Sequence, residues 1–180
     1  MVVVELDEIK NRLANVEMKL TEIEKGLKVL QDIEEIKQLQ ARYLNALMRT
    51  DWDAVIECFA ENAAVDVAFH KPISGKSTID KWFREELSKT HVGMEGDFVV
   101  HPIITVEGDK AKGTWLLYMM YYYPRTGQSL FWVQGFYENE YIRENGKWKI
   151  SLLKWRERIG LPGGGPPAEL YWGVFGKDKI

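Results

Sequence analysis

The chain has 180 residues, 46% of them hydrophobic, with 24 basic and 27 acidic side chains and a formal charge of −3. That is enough apolar material for one core plus an extension, and no basic run or patch marks a nucleic-acid binder. No apolar run approaches the length of a membrane span, and Met1 to Val4 is followed at once by acids rather than by a secretory apolar region. The single cysteine, Cys58, excludes an internal disulfide, suits a cytoplasmic protein, and reads as a small buried hydrophobe rather than a nucleophile.

Taken in order, the chain opens with a heptad seam. Leu6, Ile9, Leu13, Val16, Leu20, Ile23, Leu27 and Leu30 follow one another at alternating three- and four-residue steps, flanked by Glu and Lys. This a/d pattern predicts a helix of about 37 Å that pairs with a copy of itself or lies against its own domain. Residues 1–31 are therefore set apart as a coiled-coil helix and an oligomer is expected. From Ile33 the apolar stripe is re-aimed: Ile36, Leu39, Gln40, Tyr43, Leu44 and Leu47 define one face of a second helical stretch ending near Met48 to Thr50. Thr50 or Asp51 is a fitting cap for a short helix carrying Trp52, Val55, Ile56 and Phe59, and Ala63 to Phe69 alternates as a strand.

HKPISGK reads as a turn, and Ser77 or Thr78 as the cap of a ten-residue helix with Ile79, Trp82, Phe83 and Leu87 on one side. A two-glycine loop carrying His91 follows. Four strands then form a meander: Phe98 to Val106, Ala111 to Tyr123, Leu130 to Arg143 and Lys147 to Arg158, with Asn145-Gly146 as a hairpin signal. Helices before strands indicate an α+β domain over residues 32–160. Residues 161–180 read as an irregular tail whose Tyr171, Trp172 and Phe175 pack on the domain or on a neighbouring subunit.

The sequence carries no metal-ligand spacing, phosphate-binding glycine loop or Gly-x-Ser-x-Gly elbow, which leaves acid–base chemistry or binding. Alternate side chains of a strand share a face. Trp115, Leu117 and Met119 thus fall together, as do Trp132, Gln134 and Phe136 on the next strand, and Trp148, Ile150, Leu152, Lys154, Arg156 and Arg158 on the last. That last face reads as core at one end and either cavity mouth or solvent at the other.

Several segments in this order resemble the SnoaL-like branch of the nuclear transport factor 2-like superfamily. They are Arg42-Tyr43, Asp51-Trp52-Asp53 with Phe59, GKSTIDKWF from Gly75, HPIITVEGDKAKGTW from His101, and GFYENEYIRENGKWKI from Gly135. The resemblance, which includes bile-acid dehydratase and scytalone dehydratase, implies a curved, mostly antiparallel sheet wrapped into a cone by helices. It also implies a hydrophobic or aromatic small-molecule ligand, cofactor-independent lyase or isomerase chemistry, and a trimer rather than a dimer. Tyr43 matches a pocket tyrosine of the family, whereas Met48 and Met119 stand where relatives carry acids. Within that frame His101 is the expected base, Tyr43 the acid or donor and Arg156 the anion anchor. Asp97 is the alternate base and His91 a further candidate. Trp115, Met119, Trp132, Gln134 and Phe136 are the expected pocket wall. The other reading is a binding protein of the same fold without catalysis.

Overall fold

The computed structural model describes residues 2–67, 70–93, 95–123 and 129–162. The chain begins with one unbroken helix, α1 (Val2–Met48), so the boundary drawn at residue 31 falls inside a continuous element. Two short helices, α2 (Trp52–Glu57) and α3 (Lys76–Glu85), flank the first strands, β1 (Phe59–Val67) and β2 (Ile73–Ser74). A single 3-10 turn, Leu87–Lys89, precedes β3 (Glu95–Glu107), and β4 (Lys110–Tyr123), β5 (Ser129–Glu144) and β6 (Lys147–Pro162) complete a six-stranded sheet in the order β2-β1-β6-β5-β4-β3. All neighbours are antiparallel except β1 and β6, which run parallel. The expected α+β cone is the observed fold.

The second half of α1 closes the cone. Ile36, Leu39, Gln40, Tyr43, Leu44 and Leu47 are buried, as their spacing requires, with Ala46 beside them, while the other intervening residues stay exposed. Two polar clusters hold the helix in place. At its entry Asp32 accepts from Trp148 Nε1 at 3.2 Å and from Lys28 Nζ at 2.5 Å, and pairs with the Arg143 guanidinium, which itself lies 4.5 Å from the Trp148 ring centroid. Deeper in, Gln40 Oε1 accepts from Tyr141 Oη at 3.0 Å and from Asn139 Nδ2 at 3.1 Å, and Tyr141 Oη accepts from Trp115 Nε1 at 2.9 Å. A buried polar cluster of this kind fixes one orientation of the helix on the sheet, because any rotation leaves several desolvated groups unpaired.

Several local expectations change. Of the two expected caps of α2, Asp51 is the one that serves, accepting from the Ala54 N–H at 3.1 Å, but Phe59 begins β1 instead of ending that helix. The segment read as a turn before α3 contains β2, and α3 starts from Gly75 at φ 88° with no side-chain cap from Ser77 or Thr78. Strand β6 runs on through Gly160 to Pro162. The expected turn at 124–127 and the expected packing of Tyr171, Trp172 and Phe175 lie outside the described residues.

Three irregularities break the β3–β4 and β5–β6 registers, one of them at Arg158, and the other two decide where the predicted site residues face. Val100 pairs with Leu116 but Ile103 pairs with Thr114, so two residues of β3, His101 and Pro102, oppose one of β4. Likewise Ile150 pairs with Tyr141 and Leu152 with Glu140, which leaves Ser151 extra in β6. A bulge of one residue moves every later side chain to the other face. Trp148 and Ile150 therefore point into the core, and beyond the bulge Leu153 and Trp155 do, in place of the predicted Leu152, Lys154 and Arg156.

Gly135 sits where Trp155 folds over β5, and a Cβ there would lie 2.6 Å from the Arg156 carbonyl oxygen and 2.7 Å from Trp155 Nε1. Backbone cannot yield as a flexible side chain does. Gly135→Ala is therefore expected to destabilise the fold by about 1–3 kcal/mol in urea unfolding; an unchanged midpoint would contradict this packing.

Candidate functional site

The cone encloses a small apolar cavity of about 50 Å³ between α1, α3, the loop at His91 and the inner face of the sheet. Tyr43 and Leu47 come from α1, Trp82, Phe83 and Leu87 from α3 and the turn after it, and Leu117, Met119, Tyr137, Leu153 and Trp155 from the sheet. Into this apolar wall project one imidazole, His91, and one carboxylate, Asp97. A larger open groove of about 800 Å³ runs outside the cone between α1 and the β5–β6 turn. It is lined largely by solvated charged residues and contains none of the candidate site residues. It does contain Cys58, whose thiol is pushed above its ordinary value by burial and donates to the Ala54 carbonyl at 3.3 Å, so it is an inert structural thiol.

Asp97 is the unusual group. It is 6% exposed, and its Oδ1 is buried with no hydrogen-bond partner among the described residues. Loss of solvent, and secondarily the Glu95 carboxylate two residues away on the same strand, raise its pKa from 3.8 to about 7. Its backbone N–H is taken by Met48 Sδ at 3.2 Å, so Met48 touches the residue that brings a carboxyl into the cavity.

Tyr43 and Tyr137 are both buried, hydrogen-bond to each other through their hydroxyls, and have ring centroids 6.5 Å apart at 81°. Burial raises the pKa of both phenols, and the nearby Asp97 carboxylate adds to this, so both remain protonated at any physiological pH. His91 sits at the cavity edge with Nδ1 3.1 Å from Thr90 Oγ1. Burial lowers its pKa, with the Glu95 carboxylate opposing, which favours a neutral imidazole. Glu95 accepts the Val92 N–H at 2.6 Å, tying the loop to β3.

Of the residues expected at the site, Tyr43, Asp97, His91 and Met119 meet around this cavity. Trp115 points inward but belongs to the Gln40–Tyr141 cluster and does not line it. Five others are corrected. His101 is exposed, in the β3 bulge at φ 53°, and cannot serve as the buried base. Trp132 and Phe136 are 39% and 41% exposed on the outer face with Gln134, because Trp115 pairs with Tyr137 and Met119 with Val133, which puts the other parity of β5 inside. Arg156, flipped outward by the Ser151 bulge, donates to the Asp66 carbonyl at 3.0 Å and pairs with its carboxylate at 2.5 Å. Tyr137, Glu95 and Trp155 were missed. The signal for Tyr137 was the alternation Val133, Gly135, Tyr137, whose central glycine leaves room for a folded-over indole.

With the inward face fixed, the family can be tested against the whole chain. The SnoaL-like domain matches residues 28–154. The chain belongs to this family. Solved structures agree on the SnoaL-like cone. LinA type 3, a hexachlorocyclohexane dehydrochlorinase from Novosphingobium barchaimii LL02, superposes with a TM-score of 0.68 at 17% identity, over 76% of this chain and 92% of that one. A proposed scytalone dehydratase from Novosphingobium aromaticivorans gives 0.66 at 16% identity, over 77% and 94%. The Kfla4162 protein of Kribbella flavida gives 0.66 at 18%, over 73% and 93%. At these identities the likeness establishes the fold alone. No curated protein sequence matches significantly.

No cluster of three or more His, Cys, Asp or Glu suited to a metal occurs among the described residues, and no described helix is long and apolar enough to cross a membrane.

The raised Asp97 pKa has a consequence for stability. In the unfolded chain this carboxyl binds its proton only below about 3.8, whereas in the folded protein it binds up to about 7. The folded state thus holds the extra proton between these values. Its stabilising share is complete below pH 4 and is lost as pH rises through 7. Asp97→Asn is expected to flatten the decline in stability between pH 4 and 8 and to leave the variant up to about 4 kcal/mol more stable than wild type at pH 8. Urea unfolding across that range measures it; a variant less stable than wild type at pH 8 would show that the carboxylate is well paired.

Proposed function

We propose that this SnoaL-like protein is a cofactor-independent acid–base enzyme of the lyase or isomerase type, with Asp97 as the proton-transferring group. The observation that carries the reading is the buried Asp97 carboxyl with a free Oδ1 and a pKa of about 7, facing an apolar cavity. A base works best when its pKa lies near the working pH, and perturbed carboxyls in clefts concentrate at functional sites.

The tyrosine pair supports the same chemistry. Its mutual hydrogen bond uses one of two phenolic protons, which leaves the other to donate to a ligand oxygen. Removing a proton from carbon next to a carbonyl builds negative charge on that oxygen, and a fixed donor in a dry site stabilises it. Neutral His91 stands ready to receive or return a proton at the cavity edge. The aromatic walls, Trp82, Phe83, Tyr137 and Trp155, favour a hydrophobic or aromatic substrate bearing one such oxygen. The dehydrochlorinase and dehydratase assignments of the structural neighbours point to the same reaction class.

At about 50 Å³ the cavity is well below the roughly 300–1,000 Å³ of a typical ligand site, so entry requires the walls to part. Met119, unbranched and adaptable, is the side chain best suited to yield. Binding without turnover is the second reading, and Met48 at a position where relatives carry an acid favours it.

The test is carbon-acid exchange. The protein is incubated in D2O with a panel of small aromatic ketones and β-hydroxy carbonyl compounds, and loss of C–H signal or elimination product is followed by proton NMR. Asp97→Asn is expected to lower the rate at least a hundredfold, and Tyr43→Phe about tenfold or more, with folding retained. Full activity in Asp97→Asn rejects the assignment, and binding without exchange across the panel favours the second reading.

A further inference from the structure

The first half of α1 leaves the domain. Residues 7–30 are exposed throughout, and the seam from Ile9 to Leu30 is between 54% and 65% exposed at every position. The helix runs without a break from Val2 through Met48, and its docking on the sheet starts only at Asp32, so this half cannot fold back onto its own cone. An apolar stripe about 32 Å long is thereby presented to solvent on one side of a helix.

We infer that this stripe is the core of a parallel, in-register coiled coil of three or four copies of this chain. Three observations commit it to that occupant. The first is the heptad composition. The three-then-four rhythm puts Leu13, Leu20 and Leu27 at a, and Ile9, Val16, Ile23 and Leu30 at d. Leucine at a with β-branched residues at d disfavours the two-stranded form and favours three or four strands.

The second is the charge pattern beside the seam. Arg12 and Lys19 occupy g positions, and Glu17 and Glu24 occupy e positions, five residues later in each case. In a parallel, in-register assembly g faces the following e of the neighbour, so Arg12 meets Glu17 and Lys19 meets Glu24, both opposite in sign. In an antiparallel pair aligned for full overlap of the seam, Glu17 meets its own copy and so does Lys19. The charges thus select the parallel arrangement.

The third is geometry. Parallel helices bring the cones to one end of the bundle, and rotation about the bundle axis closes the assembly without leaving an open seam. Gly26, at a g position with open space around its Cα, and Gln31, the e position five residues later, leave the last such pair uncharged.

The experiment uses the full chain. Light scattering after size exclusion is expected to give three or four times the 20.9 kDa chain mass. Leu20→Asp, which touches nothing in the cone, is expected to lower that mass while the near-ultraviolet spectrum of the domain persists. Ile9→Cys is expected to form an intermolecular disulfide under mild oxidation, since the parallel register places Ile9 beside its copy; Cys58 is buried and stays silent. Lys19→Glu should weaken the assembly at low salt, and Lys19→Glu with Glu24→Lys should restore it. A monomeric or dimeric mass for wild type overturns the proposal. So does a disulfide that forms only between Ile9→Cys and Leu27→Cys chains, which is the antiparallel result.

Discussion

Everything in this molecule depends on how the second half of α1 lies in the concave face of the sheet. Gln40, held by Tyr141 and Asn139, and Asp32, held by Arg143 and Trp148, fix the rotation and the height of that helix. With those two points set, Tyr43 is aimed at Tyr137 and Met48 reaches the backbone of Asp97. The same placement forces the first half of the helix out into solvent. One packing decision thus closes the cavity and also exposes the seam.

The cavity shows why a carboxyl can be kept there at a cost. A buried, unpaired carboxylate is unfavourable, and the protein answers by holding the proton up to about pH 7 instead of supplying a cation. Arg156, the cation the sequence offered for the site, is turned outward and bound to Asp66. The charged group that acts on it is another acid, Glu95, which pushes in the same direction as burial. Neutral phenols and a neutral imidazole complete the surroundings. Such an arrangement sacrifices stability near neutral pH and is what a proton-transfer site requires.

Much of the fold was legible because it is written in periodicities. The 3.6-residue stripe from Ile36 to Leu47, the helix that carries the heptads before it and the order of the four long strands all survive in the structure. The site was less legible because strand parity fails wherever a bulge intervenes. The bulge at Ser151 carries no strong local mark, whereas Pro102 marks the one at His101, and each moves later side chains to the other face. Arg156 was lost to the site for that reason, and His101 because it lies in the bulge itself. On β5 both faces are aromatic, so parity alone could not choose between Trp132 and Tyr137; only pairing with Trp115 across β4 decides it. Asp97 was readable as a candidate from its position, but its burial is a product of tertiary packing.

The central claim is that Asp97 holds its proton to neutral pH inside the cone. Carbon-13 NMR of protein labelled at the aspartate carboxyls, with Asp97→Asn to assign the resonance, follows that titration in the unliganded protein. The account predicts a midpoint close to 7 for Asp97, well separated from the surface aspartates. A midpoint near 4 would mean that water or a cation solvates the carboxylate, and would contradict the account.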